Sequence, residues 1–508
     1  MSGKKKILFS TVEVVAATII IKFLGLIKQS VLAAYCGATI ESDAFFLATG
    51  TLVNLCSVVF SAISISLLSI HTDVLVNQGR KKSNELINAT LRVFIPLAFF
   101  LSFLSYICAP FLAKFIAPAY RSSELMLLTR YVRMMSISFV FWCYYLTVNV
   151  VLETDKKFLP GRGQGFFQNV FLIIGAVFLY KRFDMGVLVY AFLFSGLAEC
   201  FLVTWCARHE FRIVLGKLDC YKIVKHIAEV AVPLFFGNAI YEINTIVDGQ
   251  ISTSVGAGSA SILTYGATIN DMVVGVVVNS VSTVLFSHFS TWIAEKELDK
   301  VSQGLRDAIE YLTILLLPIM IVCIVAGDQI VEIFYGRGNF GAIEIRRTYG
   351  VVIGYSLGFI FQAARANLVR VYYAFQDSKR PMINGLISVG CNIILSITLS
   401  KFIGVTGVAA ATSVSMFIVT IMLFSGIKKY LPSYSVREST KEIIKGILSS
   451  ALTCICLILL RRILYFNVWI NFIIEGILVI LFYCGMLIIF RSDCMRSVIG
   501  KIKSYGKH

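Results

Sequence analysis

Long apolar stretches recur along nearly the whole chain, and they constrain its fold more than any other feature of the sequence. Fourteen stretches are present, at 7–34, 44–70, 88–115, 129–152, 163–180, 185–205, 226–248, 260–288, 309–333, 349–374, 382–400, 404–426, 443–460 and 467–490. Each is long enough to cross a membrane as a helix, which takes about 17–25 residues. Because open sheets and loops cannot satisfy their hydrogen bonds in lipid, the sequence predicts an all-α polytopic membrane protein with about fourteen transmembrane helices.

The composition excludes an ordinary water-soluble domain. Of the 508 residues, 57% are hydrophobic and 15% are charged, whereas soluble proteins have about 45–50% and about 25%. The net charge is +17, but most of the 46 lysines and arginines lie in alternate connections between the apolar stretches. Basic connections mark the cytoplasmic side of a membrane protein. We therefore expect a multi-pass protein with both termini in the cytoplasm, and no nucleic acid partner.

The sequence carries neither a nucleotide-binding loop nor a metal-binding motif. It has no P-loop, and its 13 cysteines include no CxxC pair, so we expect no ATP hydrolysis, no metal and no bound cofactor. The first apolar stretch is too long for a cleavable signal and carries two lysines, which predicts that it stays as a span. Transport by such a chain would draw on a Na⁺ or H⁺ gradient, on the membrane potential or on the gradient of the substrate.

Two short motifs recur in the two halves of the chain. ETDKKFLP at 153–160 and AFQDSKRP at 374–381 each follow an apolar stretch and end in a proline, with an offset of 221 residues. APFLAKFIAPAYR at 109–121 and GDQIVEIFYGRGNF at 327–340 form a second match. Six predicted spans separate the matched segments, so they lie on the same side of the membrane, as in a parallel repeat.

This repeat predicts the division of the chain. We expect an N-terminal six-helix lobe at 1–215 and a C-terminal six-helix lobe at 220–430, related by the parallel pseudo-repeat. The remaining residues, 431–508, would form a terminal helix pair with a basic cytoplasmic tail. Alternating access between such repeated lobes is a common design of membrane transporters.

Ionisable residues inside predicted spans are costly in lipid and therefore mark candidate sites. The first span carries Lys22 and Lys28, which are about 120° apart around a helix and so do not share one face. Lys22 lies deep enough to line a central cavity or to pair with Asp43 at the start of the second span. Lys28 lies nearer the end of its span, where it could instead extend toward water.

Polar residues also mark three spans of the second half. Asn244 and Asp248 share one face of the seventh span, Asp271 lies in the eighth, and Gln362 and Arg365 share one face of the tenth. These residues would either line a cavity or form hydrogen bonds between packed helices. A cavity with more cations than anions suits an amphiphilic anion such as a phosphate or pyrophosphate ester.

A cation site is a further hypothesis for the second lobe. Asp248 would supply a carboxylate, and Asn384 in the eleventh span would supply an amide oxygen. Oxygen ligands of this kind suit hard cations. The alternative is that Asp248 pairs with a neighbouring residue and binds no ion.

Three segments of the chain resemble a known family. They are KFLGLIKQSVLAAYCGATIESDAFFLA (22–48), VDGQISTSVGAGSASILTYGATINDMVVGVVVNSVSTVLF (247–286) and IFYGRGNFGAIEIRRTYGVVIGYSLGFIFQAARANLVRVYYAFQDSKRP (333–381). They are similar to the MurJ (MviN) family of lipid II flippases, within the multidrug/oligosaccharidyl-lipid/polysaccharide exporter superfamily. The pattern rG-F…YAxxDxxxP is the most specific part of the resemblance, which covers the first twelve spans.

The resemblance implies an architecture and a set of site residues. Two six-helix lobes plus a terminal pair is the family's architecture, and basic residues in its central cavity are thought to hold the pyrophosphate of the lipid-linked saccharide. Lys22 and Lys28 stand where the family usually has arginines. Asp43 stands at the aspartate of the family's DAFF motif, and Asp271 stands where many members have glutamate. With Arg365, these are the predicted substrate-binding residues.

The chain also departs from the family pattern at three positions. Cys56 and Ser57 replace an arginine pair in the second span, and Thr268 replaces an arginine shortly before the acid of the eighth span. Fewer cations would bind the pyrophosphate of lipid II less tightly. These departures favour a different lipid-linked cargo, although they leave the fold and the transport mechanism unchanged.

Four functions can be compared with these observations. The first is a flippase that moves lipid II from the inner to the outer leaflet of the bacterial cytoplasmic membrane, alongside the cell-wall or polysaccharide synthesis machinery. The second is a flippase for another lipid-linked repeat unit, of the capsule, exopolysaccharide or O-antigen type. A drug/cation antiporter would need a more acidic cavity than Lys22 and Lys28 provide. A membrane-embedded glycosyltransferase would need catalytic carboxylates in a large loop, and the longest loops, 206–225 and 427–442, are short and basic.

Overall fold

The computed structural model describes residues 3–212, 220–432, 434, 436–462 and 467–496, and every regular element in them is helical. The first ten α-helices are α1 (Gly3–Cys36), α2 (Ile40–Gln78), α3 (Arg80–Ile107), α4 (Ala109–Ile116), α5 (Ser122–Met135), α6 (Ser138–Thr154), α7 (Gly163–Ile174), α8 (Tyr180–Phe183), α9 (Gly186–Ala207) and α10 (Cys220–Val255). The next ten are α11 (Ser259–Val273), α12 (Asn279–Ala294), α13 (Leu298–Val325), α14 (Gly327–Tyr335), α15 (Ala342–Ser356), α16 (Phe359–Ala374), α17 (Lys379–Ile403), α18 (Val405–Ile427), α19 (Val436–Arg461) and α20 (Val468–Ile489). Short π-helical turns, Gly175–Leu179 and Val274–Val278, join α7 to α8 and α11 to α12.

The helices match the predicted spans. In the described part of the chain, 12 helical segments are long and apolar enough to cross a membrane. A further span is formed by α15 and α16 together, which are bent by 41° at the short break between them. The remaining predicted span, 226–248, lies within α10, whose side chains are described only in part. The prediction of an all-α membrane protein with about fourteen spans is confirmed.

Contacts between residues divide the chain into two compact units. The first unit holds 1–261 and the short loop 338–340, and the second holds 262–337 and 341–508. Helix α10 packs against α2 in the first unit, whereas the sequence places it at the start of the second lobe. The lobe limits stay predictions. Residues 213–219, at the predicted lobe boundary, and 497–508, in the predicted basic tail, lie outside the described residues.

The internal repeat is visible in how two equivalent helices begin. At the start of α5, the backbone N–H of Arg121 donates to Oε2 of Glu124 at 2.8 Å. At the start of α15, the backbone N–H of Gly341 donates to Oε2 of Glu344 at 2.9 Å. Each glutamate satisfies an N–H group that no helical carbonyl can reach. The two caps are 220 residues apart, which supports the repeat.

The repeat is also visible where α6 and α16 end. Lys156 and Gln376 have φ angles of 61° and 60°, the left-handed conformation that closes a helix C-terminus. These two residues are again 220 positions apart, whereas the sequence motifs, aligned on Pro160 and Pro381, give 221. The difference arises because the loop before Pro381 is one residue longer. The sequence alignment is therefore wrong by one residue at the helix ends.

A paired contact follows each of these helix ends. Lys157 Nζ donates to Oε1 of Glu210 at 2.5 Å in the first unit. Tyr430 Oη donates to Oδ2 of Asp377 at 2.7 Å in the second unit. Each pair joins residues that are 53 positions apart. The same two positions therefore hold the helix ends together in both units, although the residue types differ.

A partly buried polar cluster holds the terminal helices α19 and α20 within the second unit. Arg461 Nη2 lies 2.5 Å from Oδ2 of Asp328, and its Nε lies 3.6 Å from Oε1 of Glu475. Gln329 Nε2 donates to the same Glu475 oxygen at 3.0 Å. Because Glu475 is buried, its charge needs these partners, and they hold α19 and α20 against α13 and α14.

Candidate functional site

The first candidate residues, Lys22 and Lys28, lie on α1 in the first unit. Helix α1 packs against α7, where Asn169 Nδ2 donates to the backbone oxygen of Ile21 at 3.2 Å. Lys22 follows Ile21 directly and is exposed, and Lys28 is half-buried. Neither lysine forms an ion pair with a residue that the structure describes. Both ammonium groups therefore remain available to an anionic ligand.

Asp43 has a different environment from the two lysines. Its side chain is fully buried, and Oδ1 accepts hydrogen bonds from the backbone N–H and from the hydroxyl of Ser261, both at 2.6 Å. Ser261 lies in the first turn of α11, where free N–H groups favour a carboxylate. The structure thus places Asp43 as a cap on α11 and not beside Lys22. Its role in binding substrate stays a prediction.

A short loop adds a second contact at the same end of the first unit. The backbone N–H of Asn339 donates to the oxygen of Ala34 at 2.9 Å, and its Nδ2 donates to the oxygen of Tyr35 at 2.6 Å. These bonds satisfy carbonyl groups at the end of α1 that have no helical partner. We call the five residues Ala34, Tyr35, Asp43, Ser261 and Asn339 the polar seam.

In the second unit, Asp271 belongs to a chain of polar contacts. Gln362 Nε2 on α16 donates to Oδ1 of Asn270 at 3.3 Å, and Asn270 Nδ2 donates to Oδ1 of Asp271 at 3.1 Å. Arg365 lies three residues after Gln362 and so on the same face of α16. It is half-buried and forms no ion pair with a described residue. The sequence singled out Asp271, Gln362 and Arg365 in separate spans, and the structure links the first two through Asn270.

The backbone next to Asp271 is also unusual. The π-helical turn Val274–Val278 begins three residues later, and it contacts α16. Such turns are rare and occur often at functional sites. No sequence pattern predicts this turn. Sequence analysis also overlooked Asn270, although a polar side chain inside a predicted span marks a candidate site.

The two residues predicted to bind a coupling cation lie in different units. Asp248 is buried on α10 in the first unit, where Asn244 Nδ2 donates to its Oδ2 at 3.3 Å. Asn384 is half-buried on α17 in the second unit. Across the described residues, no three His, Cys, Asp or Glu side chains gather as a metal site. The cation site at Asp248 and Asn384 stays a prediction.

The positions at which the family pattern has arginine can now be located. Cys56 is fully buried, and its Sγ lies 3.9 Å from Oγ of Ser138 on α6. Thr268 Oγ1 donates to the backbone oxygen of Thr264, one turn earlier on α11, at 2.9 Å. Position 56 therefore contributes to packing in this structure and not to an exposed surface.

Sequence analysis missed two buried carboxyl groups inside predicted spans, Glu475, which pairs with Arg461, and Glu199. Glu199 lies within the sixth predicted span, on α9, and only 1% of its surface is exposed. The rule that selected Lys22, that an ionisable residue inside a span marks a candidate site, would have found it. Its surroundings are described below.

Comparison with known proteins identifies similar sequences. The family model described as "Lipid II flippase MurJ" matches residues 32–483. A probable lipid II flippase MurJ of Treponema pallidum (strain Nichols) is 25% identical over 446 residues, which cover 84% of this chain and 83% of that protein. Probable lipid II flippases MurJ of Vibrio cholerae (26% identical, 83% of each chain) and Thermotoga maritima (25% identical, 91% of each chain) are similar to the same extent.

Comparison with solved structures identifies a similar fold. A structure titled "Lipid II flippase MurJ, inward closed conformation" superposes with a TM-score of 0.81 at 24% identity, covering 95% of this chain and 99% of that chain. An inward-facing multidrug resistance transporter of the MATE family superposes with a TM-score of 0.72 at 11% identity, covering 82% of this chain and 98% of that chain. Both similarities show a shared fold.

Proposed function

This chain belongs to the lipid II flippase MurJ family, and from that premise we propose that it moves lipid II from the inner to the outer leaflet of the bacterial cytoplasmic membrane. The chain is a multi-pass membrane transporter and not an enzyme. The observation in this structure that carries the proposal is the exposed ammonium group of Lys22, which no described carboxylate neutralises.

The chemistry of the cargo fits the available cations. A lipid-linked saccharide pyrophosphate carries negative charge beside a long apolar tail, and lysine and arginine side chains bind such anions through charge-assisted hydrogen bonds. Lys22 and Lys28 would bind the pyrophosphate in the first unit. Arg365 would supply a cation in the second unit, where Asn270 and Gln362 offer amide groups for the sugars.

Release to the outer leaflet would require the polar seam to open. The predicted topology places the end of α1, and with it the seam, on the non-cytoplasmic side. Alternating access lets the ligand shift the balance between two conformations that the protein already populates. In this mechanism the hydrogen bonds between Asp43 and Ser261, and between Asn339 and the end of α1, break when the outer side opens and form again on return.

We further propose that both termini lie in the cytoplasm, that a cation or the membrane potential drives the return step, and that the protein acts beside the cell-wall synthesis machinery. The basic loops support this orientation. Because position 56 is buried beside Ser138, the cysteine there removes no cation from an exposed surface.

The proposal is tested by complementation. The full chain is expressed in a bacterium whose own lipid II flippase can be shut off, alongside Lys22→Ala and the matched control Lys401→Ala, an exposed lysine at the end of α17. Membrane insertion is confirmed for each. We expect growth with the parent and with Lys401→Ala, and loss of growth with Lys22→Ala. Failure of the inserted parent would overturn lipid II as cargo and would favour a capsule, exopolysaccharide or O-antigen repeat unit.

A further inference from the structure

Glu199 is a buried carboxyl group without a counter-charge. It lies on α9 with 1% of its surface exposed, and neither carboxyl oxygen forms a hydrogen bond of standard geometry with the described residues. No described lysine, arginine or histidine forms an ion pair with it. An ionised carboxylate in such a place would lose its hydration without gaining a compensating partner, so the neutral form is favoured there.

The N-terminus of α7 covers this carboxyl group. A Cβ atom added to Gly163 would lie 2.6 Å from Oε2 of Glu199 and 2.6 Å from Cδ2 of Leu202. The polar group that faces Glu199 is the backbone N–H of Gln164. Tyr145 on α6 fixes the approach, because its hydroxyl donates to the backbone oxygen of Gly161 at 2.7 Å. A larger residue at position 163 would displace the ends of the Glu199 and Leu202 side chains.

The other titratable groups around α9 do not neutralise Glu199. Tyr145 on α6 and Cys200 on α9 itself are its titratable neighbours. The remaining titratable or charged side chains on elements packed against α9 are Cys143, Tyr144 and Glu153 on α6, Arg162 before α7, Tyr180, Lys181 and Arg182 on α8, Glu124, Arg130, Tyr131 and Arg133 on α5, and Glu41, Asp43, Cys56, His71 and Asp73 on α2. None of them is hydrogen-bonded or ion-paired to Glu199. Arg162, the cation nearest along the chain to Gly163, interacts with Glu153 and Tyr145.

A small cavity lies between the helices that surround Glu199, and it reaches Ser195, one helical turn earlier on α9. Its walls come from α6, α7 and α9 and include the polar side chains of Gln164, Gln168 and Ser195 together with Phe141 and Trp142. Ser195 is four residues before Glu199 and therefore lies on the same face of α9. The cavity has room for about one water molecule. A water held there would lie between the same three helices as Glu199.

Helix α7 connects Glu199 to the predicted substrate site. Its Asn169 donates to the backbone of Ile21 on α1, next to Lys22. A movement of α7 away from α9 would therefore shift the helix that carries Lys22.

We propose that Glu199 is the proton-binding site that couples transport to the proton gradient. The carboxyl group holds a proton while α7 packs against α9. When α7 moves away, water enters, the O–H bond breaks and the proton passes to that water. Binding of a proton from water reverses the step. The coupling to transport rests on the proposed flippase function, whereas proton binding and the movement of α7 do not.

Hydrogen–deuterium exchange tests the proton-linked movement without any substrate. The full-length protein in lipid nanodiscs is compared between pH 6 and pH 8.5, with exchange corrected for the intrinsic pH dependence. If opening of α7 requires loss of one proton, protection of the α7 amides falls by about tenfold per pH unit once the carboxyl group begins to titrate. Protection that does not change with pH would overturn the proposal.

Two variants and a control sharpen this test. Glu199→Gln has the shape of the protonated form, so α7 should stay protected at both pH values. Gly163→Ala adds a methyl group against the Glu199 carboxyl oxygen and Leu202, so protection of the α7 amides should fall at both pH values. The control is Glu475→Gln, a second buried carboxyl group with Gln329 and Arg461 as partners, which should keep the parent response. An unchanged pH response in Glu199→Gln contradicts the proposal. If Glu199→Gln fails to fold, the response of the parent still decides, because protection of α7 that does not change with pH overturns the proposal.

A transport measurement separates this inference from the proposed function. Proteoliposomes carry fluorescent lipid II, and a pH difference is imposed while the membrane potential is clamped at zero. We expect the pH difference to change the rate of transport by the parent, and we expect Glu199→Gln, in which α7 stays closed, to lose most of its transport and to show no response to the pH difference. If the parent moves lipid II but ignores the pH difference, proton coupling at Glu199 is wrong and the flippase function stands. If the parent moves no lipid II yet α7 opens with pH, the flippase function fails and the proton site remains.

Discussion

The carboxylate of Asp43 accepts two hydrogen bonds from Ser261, one from its backbone nitrogen and one from its hydroxyl, both at 2.6 Å. The two residues are 218 positions apart in the chain. Because Asp43 is fully buried, these bonds form away from water, where a charged acceptor is strong. They join the start of α2 to the start of α11.

Removing the charge of Asp43 should loosen this junction. In Asp43→Asn the side chain keeps its size but accepts weaker bonds and presents an NH₂ group toward other donors. We expect a loss of stability of about 1–3 kcal/mol, measured as a lower melting temperature of the purified protein. The control Asp73→Asn, an exposed aspartate on the same helix, should change stability by less than about 0.5 kcal/mol. Equal effects would contradict the role given to Asp43.

Gly338 allows the loop 338–340 to reach the end of α1. Its φ angle is +59°, and a Cβ atom there would overlap the carbonyl oxygen of Ala34. Gly338→Ala should therefore lower stability by more than the roughly 1–2 kcal/mol that the left-handed conformation alone costs. The matched control is Gly390→Ala within α17, where an added Cβ meets no atom within 4 Å. That variant should gain about 0.5–1 kcal/mol, and a loss similar to that of Gly338→Ala would argue against the overlap.

The contact between Asp377 and Tyr430 should make stability depend on pH. Burial raises the pKa of the Asp377 carboxyl group, but hydrogen bonds from Tyr430 and from the backbone N–H of Arg380, with the charge of Arg380, outweigh burial and hold the pKa below its usual value. When the pKa of a carboxyl group is lower in the folded chain than in the unfolded chain, where it is about 4, the ionised group stabilises the fold. This stabilisation is fully present above the unfolded-state pKa and is lost as the pH falls through the folded-state pKa. Asp377→Asn should thus lower the melting temperature at pH 7 and lose this effect below about pH 4.

A double-mutant cycle isolates that contact. Tyr430→Phe removes the donor and should cost about 0.5–1 kcal/mol at neutral pH. Asp377→Asn should cost less in the Tyr430→Phe background than in the parent, because the shared bond is already gone. Additive losses would show that the two residues act independently.

Arg365 should bind the cargo and contribute little to folding. It forms no ion pair with a described residue, so Arg365→Ala should change the free energy of unfolding by less than about 0.5 kcal/mol, measured through the melting temperature. Loss of a charge-assisted contact worth about 1.4 kcal/mol would weaken lipid II binding about tenfold, measured with the purified protein. Arg346→Ala, an exposed arginine on α15, is the control. Equal affinities in both variants would remove Arg365 from the site.

The fold was predictable from the sequence because hydropathy acts locally. Each apolar stretch carries its own evidence of a helix, and the repeated motifs at 153–160 and 374–381 indicated the internal repeat. The sequence register was one residue wrong at Gln376, because a one-residue change in loop length cannot be recognised from two prolines alone. The backbone φ angles of Lys156 and Gln376 give the true register.

The site was only partly predictable because its contacts join distant parts of the chain. Lys22 and Arg365 were selected because a charged side chain inside a membrane span costs free energy in lipid, and the position of a residue within a span can be read from the sequence. The bonds of Asp43 to Ser261 depend on how helices pack, which no local pattern reports. Asn270 and Glu199 are also polar or ionisable residues inside predicted spans, as the selected residues are, and only the structure shows what surrounds them.

The paired contacts that follow α6 and α16 differ in one physical respect. Lys157 and Glu210 form an ion pair in which 47% of the lysine side chain is exposed, so dissolved salt screens their attraction. Asp377 and Tyr430 are joined by a hydrogen bond from a neutral hydroxyl, which salt screens far less. A rise in ionic strength should therefore weaken this contact in the first unit more than the matching contact in the second unit, so two halves with one architecture respond unequally to dissolved salt.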